Sequence, residues 1–172
     1  MTNGIIIDIE RFFSEIEQQI LAIFLAKKNW TLNNSSGYNY KESDRIFWAA
    51  PLTNPACIDF FYKKIKSGLK REIKIISIIV NGQAHGQCGS WHPDINDVED
   101  AQQYFTLVYF PYAWMPEYGG HLVIQKDKFI SILPELNKAV IFSSHLFHVG
   151  LEPTTHCKTQ RVSIACKFKV LD

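Results

Sequence analysis

The sequence predicts a mostly-β sandwich or barrel, with two helices near its N-terminus laid against one sheet from outside. Three observations predict it. From residue 73 onward, short β-branched and aromatic runs recur, broken by turn residues at intervals of roughly ten. Before residue 73, two segments carry apolar side chains at helical spacing. The chain is also rich in rings, with 12 Phe, 7 Tyr and 4 Trp among 172 residues, as suits a pleated interior or a ring-lined pocket.

Ile5 to Ile9 is a short β-branched run and predicts a first strand. From Arg11 to Asn29 the residues Phe12, Phe13, Ile16, Ile20, Ile23 and Phe24 follow helical spacing, which predicts one buried stripe. Lys27, Lys28 and Asn29 end that helix, and Asn33 to Gly37 reads as a polar loop. Asn54 is placed to cap a second helix, with Pro55 at the first helical position, where its missing N–H costs nothing. Ile58, Phe61, Tyr62, Ile65 and Leu69 form its stripe, and Gly68 loosens its end. Strands follow at Ile73–Val80, Tyr104–Phe110, His121–Gln125, Ala139–Ser143 and Arg161–Val170. A glycine-rich loop (Gly82, Gly86, Gly89) and a turn at Pro116–Gly120 punctuate them. No repeat, low-complexity tract or linker divides the chain. It reads as one domain over 1–172, a helical support region over 1–72 and a β core over 73–170.

A hydrophobic fraction of 47%, a charged fraction of 20% and a net charge of +1 belong to an ordinary globular protein. A nucleic-acid binder needs a basic stripe to neutralise phosphates. The nearest feature, Lys63–Lys66 with Lys70 and Arg71, reads as the solvated face of the second helix. Ile20 to Ala26 is far short of the ~20 apolar residues that span a bilayer. The N-terminus meets acidic residues within its apolar run, unlike a signal peptide. Cys57, Cys88, Cys157 and Cys166 form no CxxC pair, so reduced thiols in a cytoplasmic setting are expected.

Chemistry concentrates in Gly89-Ser90-Trp91-His92-Pro93-Asp94. Residues two apart in an extended segment project to one side, so His92 and Asp94 offer an imidazole and a carboxylate to one ion. Two histidines and one carboxylate, with the remaining positions open, form the ligand set of non-haem Fe(II) oxygenases. The motif alone is weak. Downstream, however, a strand runs into His145 and His148, and the last strand begins Arg161-Val162-Ser163. Alternation puts Arg161, Ser163 and Ala165 on one face and Val162, Ile164 and Cys166 on the other. A guanidinium facing a barrel interior needs an anion, and a carboxylate matches its planar fork.

The order His-x-Asp, Tyr-x4-Trp, Gly-Gly, Phe-x5-His, Arg-x-Ser resembles the 2-oxoglutarate/Fe(II) dioxygenases over about Ile75 to Phe168. Within them it is most similar to the prolyl 4-hydroxylase-like branch. The resemblance implies a double-stranded β-helix supported by two helices. It implies Fe(II) held by His92, Asp94 and His148, and 2-oxoglutarate and O2 as co-substrates, with ascorbate as an accessory reductant. It further implies that Arg161, supported by Ser163 and Tyr109, holds the far carboxylate of 2-oxoglutarate. The phenylalanine-to-histidine spacing from Phe142 favours His148 over His145. The implied reaction converts 2-oxoglutarate to succinate and CO2 while hydroxylating a C–H bond. A proline-containing peptide is the first-choice substrate; a free amino acid, another small molecule or alkylated nucleic acid is the alternative. Trp91, Tyr112, Trp114 and His145 are expected near the mouth, although Trp114 also suits simple packing of its turn.

Three departures stand out. Asn81 and Gln83 occupy the region where relatives carry a tyrosine, the gap from His148 to Arg161 is longer than usual, and His121 replaces an acid after Gly119-Gly120. Rival readings are weaker. His85, Cys88 and His92 lack the fourth ligand of a structural zinc site. A Cys88–His nucleophile leaves Asp94 unexplained. Nucleic-acid dealkylases carry a second arginine where this chain has Lys167, and need a basic groove. A non-catalytic sugar- or metal-binding barrel has little use for Arg161.

Overall fold

A computed structural model describes residues 4–34, 46–96 and 99–171, and its spine is the last strand of the chain. That strand, β10 (Arg161–Val170), pairs antiparallel with β4 (Ile73–Gln83) on one side and β5 (Tyr104–Phe110) on the other. β1 (Ile6–Ile9), β2 (Thr31–Asn34), β3 (Phe47–Pro51) and β8 (Lys138–Ser143) extend the sheet outward. Its described strands run in the order β1-β8-β5-β10-β4-β3-β2. A smaller antiparallel sheet has the order β7-β6-β9, from β6 (Leu122–Gln125), β7 (Phe129–Ile132) and β9 (His148–Gly150). The sheets meet through Val108, Phe110, Leu122, Ile124, Val140 and Phe142. This is the double-stranded β-helix expected from the resemblance.

The helical support region supplies three strands of the main sheet as well, the expected β1 and the unexpected β2 and β3. β1 pairs with β8 and β3 with β4, so both strands are woven into the main sheet. β2 and β3, with β7 and β9, escaped the alternation test because three to five residues are too few to show a period. Of the expected polar loop, Asn33 and Asn34 belong to β2, and 35–37 lie outside the described residues.

Two helices cover one face of the sheet. α2 (Pro55–Leu69) starts as expected, with the Asn54 side chain accepting from the Ala56 N–H at 2.9 Å and Pro55 in the first turn. Cys57, Phe61 and Ile65 are its fully buried residues. It ends at Lys70, whose φ of 54° is left-handed. α1 (Glu15–Ala26) corrects the expectation. It begins at Ser14, which forms a reciprocal capping box with Glu17, and it buries Leu21 and Leu25. Ile16, Ile20 and Ile23 are 71%, 38% and 60% exposed. Phe12 and Phe13 precede the helix, tied to Asn137 by hydrogen bonds from both backbone N–H groups. Counting the stripe from those two residues rotated the buried face by roughly 140°, since five residues at about 100° each make one full turn and 140° more.

The core under the helices joins Leu21, Leu25, Phe61 and Ile65 to Ile78, Val80, Leu107, Ile164, Cys166 and Phe168. Phe13 anchors it, stacked on Phe60 at 5.0 Å and edge-on to Tyr109 at 5.0 Å. The basic cluster on α2 is neutralised locally. Lys63 pairs with Asp59, Lys64 with Glu17 and Lys66 with Glu72, as befits a solvated face. No described helix is long and apolar enough to cross a membrane.

Candidate metal centre

The other face of the main sheet forms one wall of a cavity of about 250 Å³. Into it project Arg161, Ser163, Ala165 and Lys167 from β10, Asn81 and Gln83 from β4, and Thr106 and Val108 from β5. His92, Asp94 and His148 line the opposite rim.

Backbone pairing brings the histidines together. His92 and His148 are opposed residues of an antiparallel bridge and exchange both N–H···O bonds, at 3.1 and 3.0 Å. Such opposed residues project their side chains to one side, and the ring centroids lie 4.4 Å apart. Asp94 is placed by its own N–H, which donates to Ser144 O at 2.8 Å. One ligand atom from each of His92, Asp94 and His148 lies within 4.8 Å of the others, the one such cluster found among the described residues. His92 Nε2 is 3.7 Å from Asp94 Oδ1, and His148 Nε2 is 3.5 Å from Oδ2.

Each imidazole is oriented by a carbonyl two residues before it. His92 Nδ1 donates to Ser90 O at 2.8 Å and His148 Nδ1 to Leu146 O at 3.1 Å. Those bonds leave both Nε2 lone pairs facing the cluster, as metal-binding imidazoles require. Burial holds His148 down at about 4 despite the opposing charge of Asp94, so its ring is neutral at physiological pH. Asp94 is fixed from both sides. Thr106 Oγ1 donates to Oδ2 at 2.6 Å, and Lys167 Nζ pairs with Oδ1 at 2.7 Å. Burial alone would raise its carboxyl pKa, but His148, Lys167 and Thr106 together bring it below the ordinary value.

At the far end sits Arg161, 2% exposed. Its Nε donates to Gly120 O, and its Nη1 to Gln83 Oε1 at 2.8 Å and Ser163 Oγ at 3.3 Å. Nη2 is buried with no hydrogen-bond partner among the described residues. Burial lowers this guanidinium to about 10, which still leaves it charged at neutral pH. The backbone makes room for it. Gly120 has φ +68°, and a Cβ there would stand 2.9 Å from Arg161 Cδ. Gln83 fills the region where relatives carry a tyrosine, and its amide donates to Gln87 O and Gly150 O while aiming Arg161.

Tyr109 is a correction. It stands opposite Ile164, on the helix-covered face of the sheet, packed against Phe12 and Phe13. Its hydroxyl donates to Asn137 Oδ1 at 3.2 Å, so it does not reach the cavity or Arg161. The Tyr-x4-Trp spacing matched the sequence, but strand parity put the ring on the wrong side. Trp114 packs its turn, with its indole N–H donating to Gly119 O at 2.9 Å. Tyr112 and Trp91 are exposed, the latter against Phe129 at 5.5 Å. His145 lies outside both the cluster and the cavity lining. His85 bonds Pro153 O instead of joining Cys88 and His92 in a zinc site. Sequence reading missed Thr106 and the Lys167–Asp94 pair. Continuing the Arg161, Ser163, Ala165 alternation by one step would have found Lys167.

Fold and site together define a class, the non-haem iron oxygenase built on a double-stranded β-helix. The chain belongs to the 2OG-Fe(II) oxygenase superfamily, whose profile matches residues 77–169, more than half of its length. Solved structures with the same fold include an oxidoreductase of the 2OG-Fe(II) oxygenase family from Burkholderia pseudomallei (TM-score 0.70, 11% identity, covering 96% of this chain and 84% of that one). A prolyl hydroxylase from Trichoplax adhaerens, in complex with a peptide fragment of the hypoxia inducible factor oxygen degradation domain, gives 0.69 at 17% identity, covering 99% and 84%. A viral collagen prolyl hydroxylase from Paramecium Bursaria Chlorella virus-1, in a 2OG complex, gives 0.69 at 20%, covering 96% of each chain. No curated protein sequence matches the chain. Membership implies Fe(II), 2-oxoglutarate and O2. The residues fit them, because the donor set is two imidazoles and a carboxylate, and a buried guanidinium nitrogen lacks an acceptor among the described residues.

Proposed function

We propose that this protein is a 2-oxoglutarate-dependent hydroxylase acting on a peptidyl-prolyl residue, with His92, Asp94 and His148 as its iron ligands and Arg161 as its co-substrate anchor. The observation that carries the reading is Arg161. It is a buried cation in a cavity shared with the ligand cluster, and among the described residues its Nη2 has no hydrogen-bond partner and no carboxylate pairs with it. Burying an unpaired charge is expensive, so a fold keeps one where an anion binds. A carboxylate of 2-oxoglutarate supplies the missing acceptor in bidentate geometry.

Bound iron and 2-oxoglutarate supply the oxidising chemistry, turning O2 and the keto acid into succinate, CO2 and a hydroxylated carbon. The chain supplies geometry. Ser90 O and Leu146 O hold the two imidazoles in the ligating tautomer, and Thr106 and Lys167 fix the Asp94 carboxylate. Gln83 and Ser163 aim the guanidinium across the cavity. Ile79, Val108, Leu122 and Ala165 line the space between the two ends with apolar surface, which limits water beside the reacting groups. The prolyl assignment is supported by likeness to the Trichoplax adhaerens and Chlorella virus prolyl hydroxylases.

Succinate release from the purified iron-loaded protein tests this, with proline-containing peptides, free amino acids and nucleic acids in parallel, with and without ascorbate. Proline peptides should stimulate release and gain one oxygen atom by mass spectrometry. Succinate formed with none of the peptides as acceptor would remove the prolyl assignment; no succinate under any condition would remove the oxygenase reading.

A further inference from the structure

The cavity floor is a ladder of facing residues. Arg161 stands opposite Gln83, Ser163 opposite Asn81, Ala165 between Ile79 and Val108, and Lys167 between Ser77 and Thr106. Six residues of strand separate Arg161 from Lys167, about 20 Å of backbone. A cation therefore stands at each end of the floor, with an apolar band between. β10 slips register against β4 directly after Lys167, where Phe168 pairs with Ile75, skipping Ile76. Such a bulge bends a strand and re-aims its side chains, and bulges recur beside active sites.

Besides the histidines, the charged residues lining the cavity are Asp94, Arg161 and Lys167. Asp94 and the keto-acid carboxylate of 2-oxoglutarate meet the two charges of a ferrous ion. Arg161 meets the far carboxylate. Asp94, the one acidic partner of Lys167 found among the described residues, would then be shared with a divalent metal. The Lys167 side chain is 30% exposed, whereas that of Asp94 is 5% exposed, so Lys167 is reachable from solvent at the rim. Phe47, Ile79 and Ala165 supply an apolar wall on the same cavity surface.

Resting on the oxygenase reading of this pocket, we propose that Lys167 is its substrate-recognition cation, and that the substrate carries a carboxylate beside the apolar C–H group that reacts. The carboxylate has two chemical sources, the α-carboxylate of a free amino acid or an acidic side chain next to the target residue of a peptide. Either one forms a charge-assisted hydrogen bond to the ammonium, in a setting partly shielded from water. Lys167 is thus a specificity residue, and its contact with Asp94 fixes the distance from the recognised carboxylate to the metal.

Binding of matched acid and amide probes tests this in the protein loaded with Fe(II) and 2-oxoglutarate under anaerobic conditions. One pair is L-proline and L-prolinamide. The other is a capped Gly-Pro-Asp tripeptide and its Gly-Pro-Asn counterpart. The acid member of one pair should bind about tenfold more tightly or better, and the pair that shows the preference identifies the source. Lys167→Gln keeps an N–H for Asp94 but removes the charge, so it should erase the preference, whereas Lys167→Arg should retain it. Equal binding within both pairs in the unmodified protein, absence of binding included, overturns the proposal. A preference that survives Lys167→Gln overturns it too. Succinate release without any acid preference removes this inference alone; its complete absence removes the oxygenase reading beneath it.

Discussion

On the helix-covered face of the central sheet, β10 presents Ile164, Cys166 and Phe168, all fully buried among apolar neighbours. On the opposite face the same strand presents Arg161, Ser163, Ala165 and Lys167 to a cavity. One residue of parity separates the two sets. The first face is stabilised by hydrophobic burial, and burial there pushes the Cys166 thiol up, out of any reactive range. The second face carries a guanidinium that burial opposes and that no carboxylate among the described residues pairs with, and across the cavity it faces an imidazole held neutral. Stability and function are thus divided between the two sides of one strand, and mutations should sort the same way.

The largest effect falls on the cavity side. Asp94→Ala removes the one carboxylate of the ligand cluster and leaves Lys167 and Thr106 without their shared acceptor. Turnover of 2-oxoglutarate should drop to background, with iron no longer retained on gel filtration. Full activity would refute the ligand assignment. Asp94→Glu should fail as well, because an added methylene displaces the oxygen from a geometry held on two sides.

Next comes the helix side. Phe168 is fully buried and stacked on Phe105 at 5.8 Å. Phe168→Ala should cost about 3–5 kcal/mol of unfolding free energy by urea titration. At permissive temperature, the folded fraction should keep its KM for 2-oxoglutarate. A changed KM with unchanged stability would break the division between the faces.

Arg161→Ala should mirror that pattern at smaller amplitude. Removing a charged hydrogen bond worth about 1.5–3 kcal/mol raises the KM for 2-oxoglutarate roughly ten- to hundredfold. The KM for the primary substrate should move far less. An effect on primary substrate alone would show that the guanidinium serves a different anion.

How much of this was legible depended on whether a period was long enough to read. β5 and β10, at seven and ten residues, were bounded correctly, and their alternation assigned Arg161 and Ser163 to the functional face. β9 was invisible because three residues show no period, although its bridge to His92 is what joins the two imidazoles. α1 was recognised as a helix, but its buried face was misassigned because Phe12 and Phe13 lie in the core without being helical. Ser14 and Glu17 at capping-box spacing already marked the true start in the sequence. The proposed ligands His92 and Asp94 were readable from spacing, whereas Thr106 and Lys167 become partners of Asp94 only through strand register.

Tyr109 makes the sharpest test of parity, because spacing and register disagree about it. The family resemblance implies its hydroxyl on the co-substrate; register places it in the helix-side core, donating to Asn137, the residue that also holds Phe13. Burial pushes the phenol up in pKa, so the group is neutral and acts only as a hydrogen-bond donor. Tyr109→Phe should leave the KM for 2-oxoglutarate unchanged and lower unfolding free energy by about 1 kcal/mol, the net value of one neutral hydrogen bond. Asn137 keeps its bonds to the Phe13 backbone in that variant, so the loss should stay near that figure. A rise in KM of tenfold with little change in stability would mean that the ring reaches the cavity, and the two faces of the sheet would not be chemically separate.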